Sequence, residues 1–278
     1  MKSEEEGLRG GDGLRLFLTK RQASNPRGIA ILVHGLGEHS GRYQTLAEDL
    51  TAGGFSTWTF DHRGHGRSEG RRGDCRSFFQ FTEDLHLVVE KAHSADPKFP
   101  LFLIGHSLGG LIALHYAAEH PETLRGVALS SPALKLSQEV PKVKVVLAET
   151  LSRILPVTSI PNGVNPAFLS RSPEVVAAYE KDPLVHRLIT ARCAILLRRA
   201  MEESILLPKR IAIPLLILQA GNDRVCDPQA TAQFAKAMDP RLVTFHRYDG
   251  LYHEIFNEPE RKQVIHDLLS WMTRILEN

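Results

Sequence analysis

The chain has 278 residues, 42% hydrophobic and 24% charged, a balance that suits a globular domain with a large core and excludes disordered and fibrous classes. Lys plus Arg number 34 against 32 Asp plus Glu, so a net charge of +2 offers a polyanion no attractive field and nucleic acid is not an expected partner. No apolar run approaches the roughly 18 residues of a membrane span, and the acidic start Ser3-Glu4-Glu5-Glu6 leads into no signal-like apolar segment. The cytosol is therefore the expected compartment.

After a polar start, short β-rich runs alternate with stretches of helical period, the pattern of βαβ units on a parallel sheet. Strands are predicted at Gly28 to His34, Phe55 to Asp61, Leu101 to Gly105 and Gly126 to Ser131. Near-continuous apolar character, as in Ile29-Ala30-Ile31-Leu32-Val33, suits strands covered on both faces. Helices are predicted over Phe81 to His93 and Leu108 to Glu119, where apolar residues recur every three to four positions. The rhythm stops after Ser131-Pro132 and resumes at Ile213-Pro214-Leu215-Leu216-Ile217-Leu218. Helical periods at Val140 to Ile154 and Leu184 to Met201, split by Pro156, Pro161 and Pro166, point to an inserted helical cap. Most of its apolar residues Val145, Val146, Leu147, Leu151 and Ile154 are expected to pack on the core, with contact to acyl chains or a membrane surface as the alternative. A helix near Pro228 to Met238, a strand near Val243 to Tyr248 and an amphipathic helix from about Pro259 to Leu276 close the chain. The expected division is a core of residues 1–132 and 209–278 interrupted by a cap of 133–208.

Gly105-His106-Ser107-Leu108-Gly109 is a G-x-S-x-G directly after an apolar strand and directly before a helix. Glycines on either side allow the tight turn that lifts a serine above a sheet edge, so Ser107 is the candidate nucleophile. A serine hydroxyl needs a base, and the base needs an orienting group. In chain order these are an acid and then a histidine, each on a loop after a later strand. Asp223, just past Leu215 to Ala220, and His253, between the last strand and the last helix, occupy those places. Asp227, before Pro228, is a competing carboxylate with a better helix-cap context. Two backbone donors for an oxyanion are expected from Leu108 and from Leu36 in His34-Gly35-Leu36-Gly37.

Several motifs in register extend this reading. His34-Gly35-Leu36-Gly37-Glu38-His39-Ser40-Gly41-Arg42-Tyr43, Asp61-His62-Arg63-Gly64-His65-Gly66-Arg67-Ser68, the elbow with Gly110, Asp223-Arg224-Val225-Cys226-Asp227 and Tyr252-His253 together resemble the monoacylglycerol lipase and lysophospholipase branch of the α/β-hydrolases. The resemblance spans nearly the whole chain. It implies an α/β-hydrolase fold and, as activity, hydrolysis of long-chain monoacylglycerols without a cofactor or metal. It implies also that Glu38, Arg42 and Tyr179 recognise the glycerol head, although Glu38 and Arg42 read equally as a helix-start ion pair. Phe256 departs from the pattern, standing where mammalian members carry a histidine. Lysophospholipase, broad carboxylesterase and, more remotely, a non-catalytic ligand-binding protein are the alternatives. Cys75, Cys193 and Cys226 are odd in number and lack metal-ligand spacing, so reduced thiols are expected, and the resemblance places Cys193 and Cys226 near the pocket.

Overall fold

The computed structural model describes residues 3–277. The chain opens with an antiparallel hairpin, β1 (Ser3–Arg9) and β2 (Arg15–Arg21), closed through the left-handed Gly13. Then come β3 (Gly28–Val33), α1 (Gln44–Ala52), β4 (Phe55–Phe60), α2 (Phe79–Ala95), β5 (Leu101–His106), α3 (Leu108–Glu119) and β6 (Gly126–Ser130). The long connection holds α4 (Lys142–Ile154), β7 (Ser159–Pro161), α5 (Pro173–Lys181), β8 (Leu188–Thr190) and α6 (Ala191–Glu203). The chain returns to the sheet with β9 (Leu215–Ala220), α7 (Pro228–Ala237), β10 (Val243–Tyr248) and α8 (Arg261–Glu277).

Among the described residues the main sheet has eight strands in the order β1-β2-β4-β3-β5-β6-β9-β10. From β4 across to β10 every pairing is parallel, and β2 joins β4 antiparallel. Strands β3, β4, β5, β6 and β9 are buried at every position, as apolar runs covered on both faces require. One face packs Ile29, Ile31, Leu103 and Ile217 against α2 and α3, while the other packs Ala30, Leu32, Phe102 and Leu218 against α1 and α8. Helix α3 is buried around most of its circumference, which explains its apolar sequence Leu108-Gly109-Gly110-Leu111-Ile112-Ala113-Leu114.

The structure corrects several expectations. The polar start contains β1 and β2, whose alternation is obscured because β1 is an edge strand carrying exposed Glu4, Glu5 and Arg9. Such charges discourage edge-to-edge pairing. The predicted helix Leu184 to Met201 begins only at Ala191, where Thr190 accepts a bond from the Cys193 N–H, and the preceding residues pair with β7. The sequence reading left out α5, despite the Ser172-Pro173-Glu174 start in which Ser172 caps the helix. Helix α4 lies against α6, so only part of its surface is covered. Val145 and Leu151 are half-buried, whereas Val146, Leu147 and Ile154 are exposed together with Val143, against the expectation of core packing. Among the described residues no helix is long and apolar enough to cross a membrane.

Candidate active site

Ser107 sits between β5 and α3 with φ 52° and ψ −117°, a left-handed-side backbone that costs an ordinary residue of order 1–3 kcal/mol. The surroundings impose it. The Ser107 N–H donates to the Ser130 carbonyl at 3.0 Å, and its own carbonyl accepts from Leu111 at 3.1 Å and Ala133 at 3.0 Å. The motif glycines are steric necessities: a Cβ on Gly105 would lie 2.4 Å from the Gly109 carbonyl oxygen, and one on Gly109 would lie 2.0 Å from that of Val33. Helix α3 therefore touches the sheet backbone, and Ser107 is held at the sheet's carboxyl edge.

Asp223 and His253 come to the same edge from the loops after β9 and β10. His253 Nδ1 lies 2.8 Å from Asp223 Oδ2, and Asp223 Oδ1 accepts the N–H groups of Val225 at 2.8 Å and Cys226 at 2.9 Å. Burial pushes the Asp223 carboxyl up, but the His253 charge and these bonds outweigh it and hold the group below its ordinary range. Burial alone would depress the imidazole, yet the charge and hydrogen bond of Asp223, helped by Glu254 and Glu38, raise it. The neighbouring His106 ring, centred 4.6 Å away, is depressed to about 4 by burial and by His253, so it stays neutral. Asp227, the competing carboxylate, caps α7 by accepting from the Gln229 N–H at 2.9 Å. Ser107, Asp223 and His253 are 9%, 6% and 2% exposed, so the site is enclosed.

Leu108 opens α3, and its N–H has no acceptor four residues back inside the helix. Leu36 lies between Gly35 and Gly37 on a loop that runs directly over the serine: a Cβ on Gly35 would be 3.3 Å from Ser107 Cβ. Gly37 has φ 79°, and its carbonyl accepts from the His186 N–H at 2.8 Å, tying this loop to the segment between β6 and β9. Asp61 braces it from the other side, accepting from Ser40 N–H at 2.7 Å and from Arg67 N–H at 2.7 Å. Glu38, Arg42 and Tyr179 are brought together: Arg42 donates to Glu38 at 2.7 Å and its guanidinium lies 4.8 Å from the Tyr179 ring centre. Glu38 also accepts from the Gly35 N–H and the Tyr43 hydroxyl, both at 2.6 Å.

Comparison with known proteins decides the family. The family described as serine aminopeptidase, S33, matches residues 24–260. The chain is 37% identical over 253 residues to a monoacylglycerol lipase of Mycolicibacterium smegmatis, covering 90% of this chain and 89% of that one. It is 31% identical to a phospholipase of Bacillus subtilis, over 87% of this chain and 94% of the relative. The crystal structure of a Paleococcus ferrophilus monoacylglycerol lipase superimposes with a TM-score of 0.85 at 36% identity, covering 94% of this chain and 98% of that one. The chain belongs to the S33 family of α/β-hydrolases.

Within this S33 serine hydrolase the cysteines divide. Cys226 Sγ lies 3.9 Å from Ser107 Oγ, whereas Cys193 is buried against Cys75 with the sulfurs 3.4 Å apart. Burial raises the Cys226 thiol well above its usual range, and the Asp223 charge adds to this. Asp223, Cys226 and His253 have donor atoms within 4.8 Å of one another, a spacing that would suit a cation. Their chemistry does not: one Asp223 oxygen is committed to two backbone N–H groups, the other to His253, and the thiol is held protonated. Phe256 packs in the core beside Leu251, Ile255 and Val264 and offers the site no polar group. The sequence reading passed over Glu254, which takes both arms of the Arg42 guanidinium at 2.7 Å each. The signal was an acidic residue directly following the histidine. An open groove of about 420 Å³ borders this region at Tyr252 and Glu180, with Ala167, Ser170, Arg171 and Val176 among its other walls.

Proposed function

We propose that this S33 hydrolase cleaves long-chain monoacylglycerols to glycerol and fatty acid through an acyl-Ser107 intermediate. The observation that carries the reading is the buried Asp223–His253 pair, 2.8 Å apart, joined through Cys226 to a serine on a strained elbow whose Oγ is 3.9 Å from Cys226 Sγ, in a chain whose relatives include monoacylglycerol lipases. With Nδ1–H held by Asp223, the Nε2 of His253 is the atom free to take the Ser107 proton as Oγ attacks the ester carbonyl. The N–H groups of Leu36 and Leu108 receive the oxyanion, and losing one such donor costs about 3 to 4 kcal/mol of transition-state stabilisation. His253 then passes its proton to the departing glycerol oxygen. Water, deprotonated by His253, attacks the acyl carbon, and the proton returns to Ser107 as the fatty acid leaves. Every step uses protein side chains, backbone donors and water.

Glu38, Arg42 and Tyr179 form the polar end of the site, to which we assign the glycerol head. Residues 133–208 act as the cap over the acyl chain. Because the triad is almost fully covered, the cap shifts to admit substrate. Exposed Val143, Val146, Leu147 and Ile154 favour transient contact with a lipid surface. Replacing Val146 and Leu147 by Ser lowers co-sedimentation with phosphatidylcholine vesicles, and unchanged binding would remove that role.

The test of function is a panel of monoacylglycerols, lysophospholipids and p-nitrophenyl esters of matched chain length. Monoacylglycerol is expected to give the highest kcat/KM, and Ser107→Ala to abolish turnover while leaving the melting temperature nearly unchanged. Activity persisting in purified Ser107→Ala overturns the mechanism. Preference for lysophospholipid transfers the enzyme to the phospholipase side of its relatives, and equal rates make it a broad esterase.

A further inference from the structure

Glu254 follows the base in sequence, yet it is bound to the opposite wall of the site. Its two carboxylate oxygens accept both terminal nitrogens of Arg42, Arg42 also donates to Glu38 Oε2 at 2.7 Å, and Glu38 Oε1 accepts the Gly35 N–H at 2.6 Å. Gly35 directly precedes Leu36. A continuous chain of charge-assisted bonds thus runs from the residue beside His253 to the residue beside the expected oxyanion donor. Glu38, Arg42 and Glu254 have side chains 5%, 9% and 5% exposed, so water cannot substitute for these contacts. Glu254 is anchored further by its N–H to the Leu169 carbonyl at 2.8 Å and by Asn257 Nδ2 at 2.9 Å. Two carboxylates share one guanidinium, leaving the cluster with a net negative charge.

We propose that Glu254 is a positioning residue, which through Arg42 and Glu38 holds the oxyanion loop in register with His253 and through its charge supports the imidazolium formed in each half-reaction. The proposal rests on the assignment of Ser107, His253 and Leu36 given above. Arg42 consequently acts as a brace between two loops, in addition to bordering the head-group end. A bidentate guanidinium-carboxylate pair fixes angle as well as distance, which suits it to aligning two separately folded loops.

The groups around His253 are Asp223 and Cys226 from the loop after β9, with Ser107 Oγ 3.9 Å from Cys226 Sγ, His106 from the elbow, Glu38 from the loop after β3, Glu254 itself, and Arg42 held between Glu38 and Glu254. His106 is neutral, and both Glu38 and Glu254 favour the protonated imidazole. Removing the Glu254 charge therefore lowers the base's titration point. Glu254→Gln also places an amide NH₂ against one of the two guanidinium arms, breaking the fork.

The decisive experiment measures kcat, KM and the pH dependence of kcat/KM for wild type and Glu254→Gln on a monoacylglycerol and on a p-nitrophenyl ester of the same acyl chain. Expected are a drop in kcat of about tenfold on both substrates with little change in KM, and an acid limb displaced to lower pH. Arg42→Lys, which keeps the charge and loses the fork, is expected to lower kcat on both substrates while leaving the limb in place. That variant also provides the test should Glu254→Gln fold poorly. An unmoved acid limb with unchanged kcat, or a loss confined to KM for the monoacylglycerol, overturns the proposal. Wild-type inactivity toward monoacylglycerols would instead defeat the substrate assignment, and the aryl ester would still report on the brace.

Discussion

Gly109→Ala is the smallest perturbation with a large expected effect. The new methyl would sit 2.0 Å from the Val33 carbonyl oxygen, 2.5 Å from its carbon and 2.6 Å from the His34 oxygen. All three are backbone atoms at the end of β3, so no side chain can rotate away. Real Cβ contacts essentially never fall below 3.0 Å, and relief therefore requires α3 and β3 to separate by about 1 Å. That displacement falls between Ser107 at the start of α3 and Leu36 in the loop leaving β3. A misplacement of this size costs about a hundredfold in rate, and overpacking costs about 1 to 3 kcal/mol of stability. A paired control is Gly11→Ala, whose Cβ meets nothing within 4 Å and whose φ is not positive. The assay is p-nitrophenyl ester turnover and thermal melting of both variants. Gly109→Ala is expected to lose about two orders of magnitude in kcat and to melt at least about 2 °C lower, with Gly11→Ala matching wild type. Wild-type kcat in Gly109→Ala would show that the contact between α3 and β3 does not set the geometry of the site.

Asp223→Asn keeps an oxygen for the Val225 and Cys226 N–H groups but turns an NH₂ toward His253 Nδ1, forcing the ring proton onto Nε2, the atom needed as base. The expected result is a fall in kcat of about 10⁴ with a nearly unchanged melting temperature; single-turnover kinetics at wild-type speed would contradict the assignment of the acid. A further prediction concerns acid. His34, His62 and His65 are held well below the ordinary 6.5, first by burial and then by one another or by His186. His62 Nδ1 and His65 Nε2 are buried without a hydrogen-bond partner, so a proton there would create an unsatisfied donor. The depressed groups contribute stability that is fully present above pH 6.5 and is lost as pH falls below it, each by up to about 1.4 kcal/mol per pH unit, because the unfolded chain takes up protons first. His253, raised in the fold, opposes this as one group, while His106, His115 and His186 are depressed like the other three. The urea midpoint is expected to drop between pH 7.5 and pH 5.5, a window above the carboxylates; a constant or rising midpoint would refute the reasoning.

The central sheet was legible because buried parallel strands are apolar at every position, as Ile29 to Val33 and Leu101 to Ile104 are. The elbow was legible because its glycines have no substitute where α3 touches β3. Edge and insertion elements were not. Strand β1 has one side in water and presents Glu4 and Glu5, and β8 is three residues long and, among the described residues, pairs with β7 alone, so neither carries a periodic signal. The outward face of α4 had the pattern of a core-facing stripe, since apolar spacing records amphipathicity and says nothing about what meets the apolar face. The ion pair between Glu38 and Arg42 was visible four residues apart, whereas the third member, Glu254, lies 212 residues from Arg42 and could be found only in three dimensions.

That long-range contact bears on how the enzyme differs from its mammalian relatives. At the place where the resemblance expects a histidine, this chain buries Phe256 in the core with residues of α1 and α8, and two residues earlier Glu254 is bonded to Arg42. A carboxylate in that place neutralises Arg42 from the base's side, so the guanidinium is held by two anions and presents less free charge to the substrate. With the head group assigned to Glu38, Arg42 and Tyr179 as proposed above, its recognition would depend on the shape and hydrogen-bonding capacity of a braced wall more than on an exposed cation. A neutral glycerol head tolerates such a wall. A lysophospholipid phosphate gains little from an arginine already shared by Glu38 and Glu254, and it meets a cluster of net negative charge. Given the head-group end proposed above, the electrostatics of the brace favour the monoacylglycerol reading over the phospholipase one.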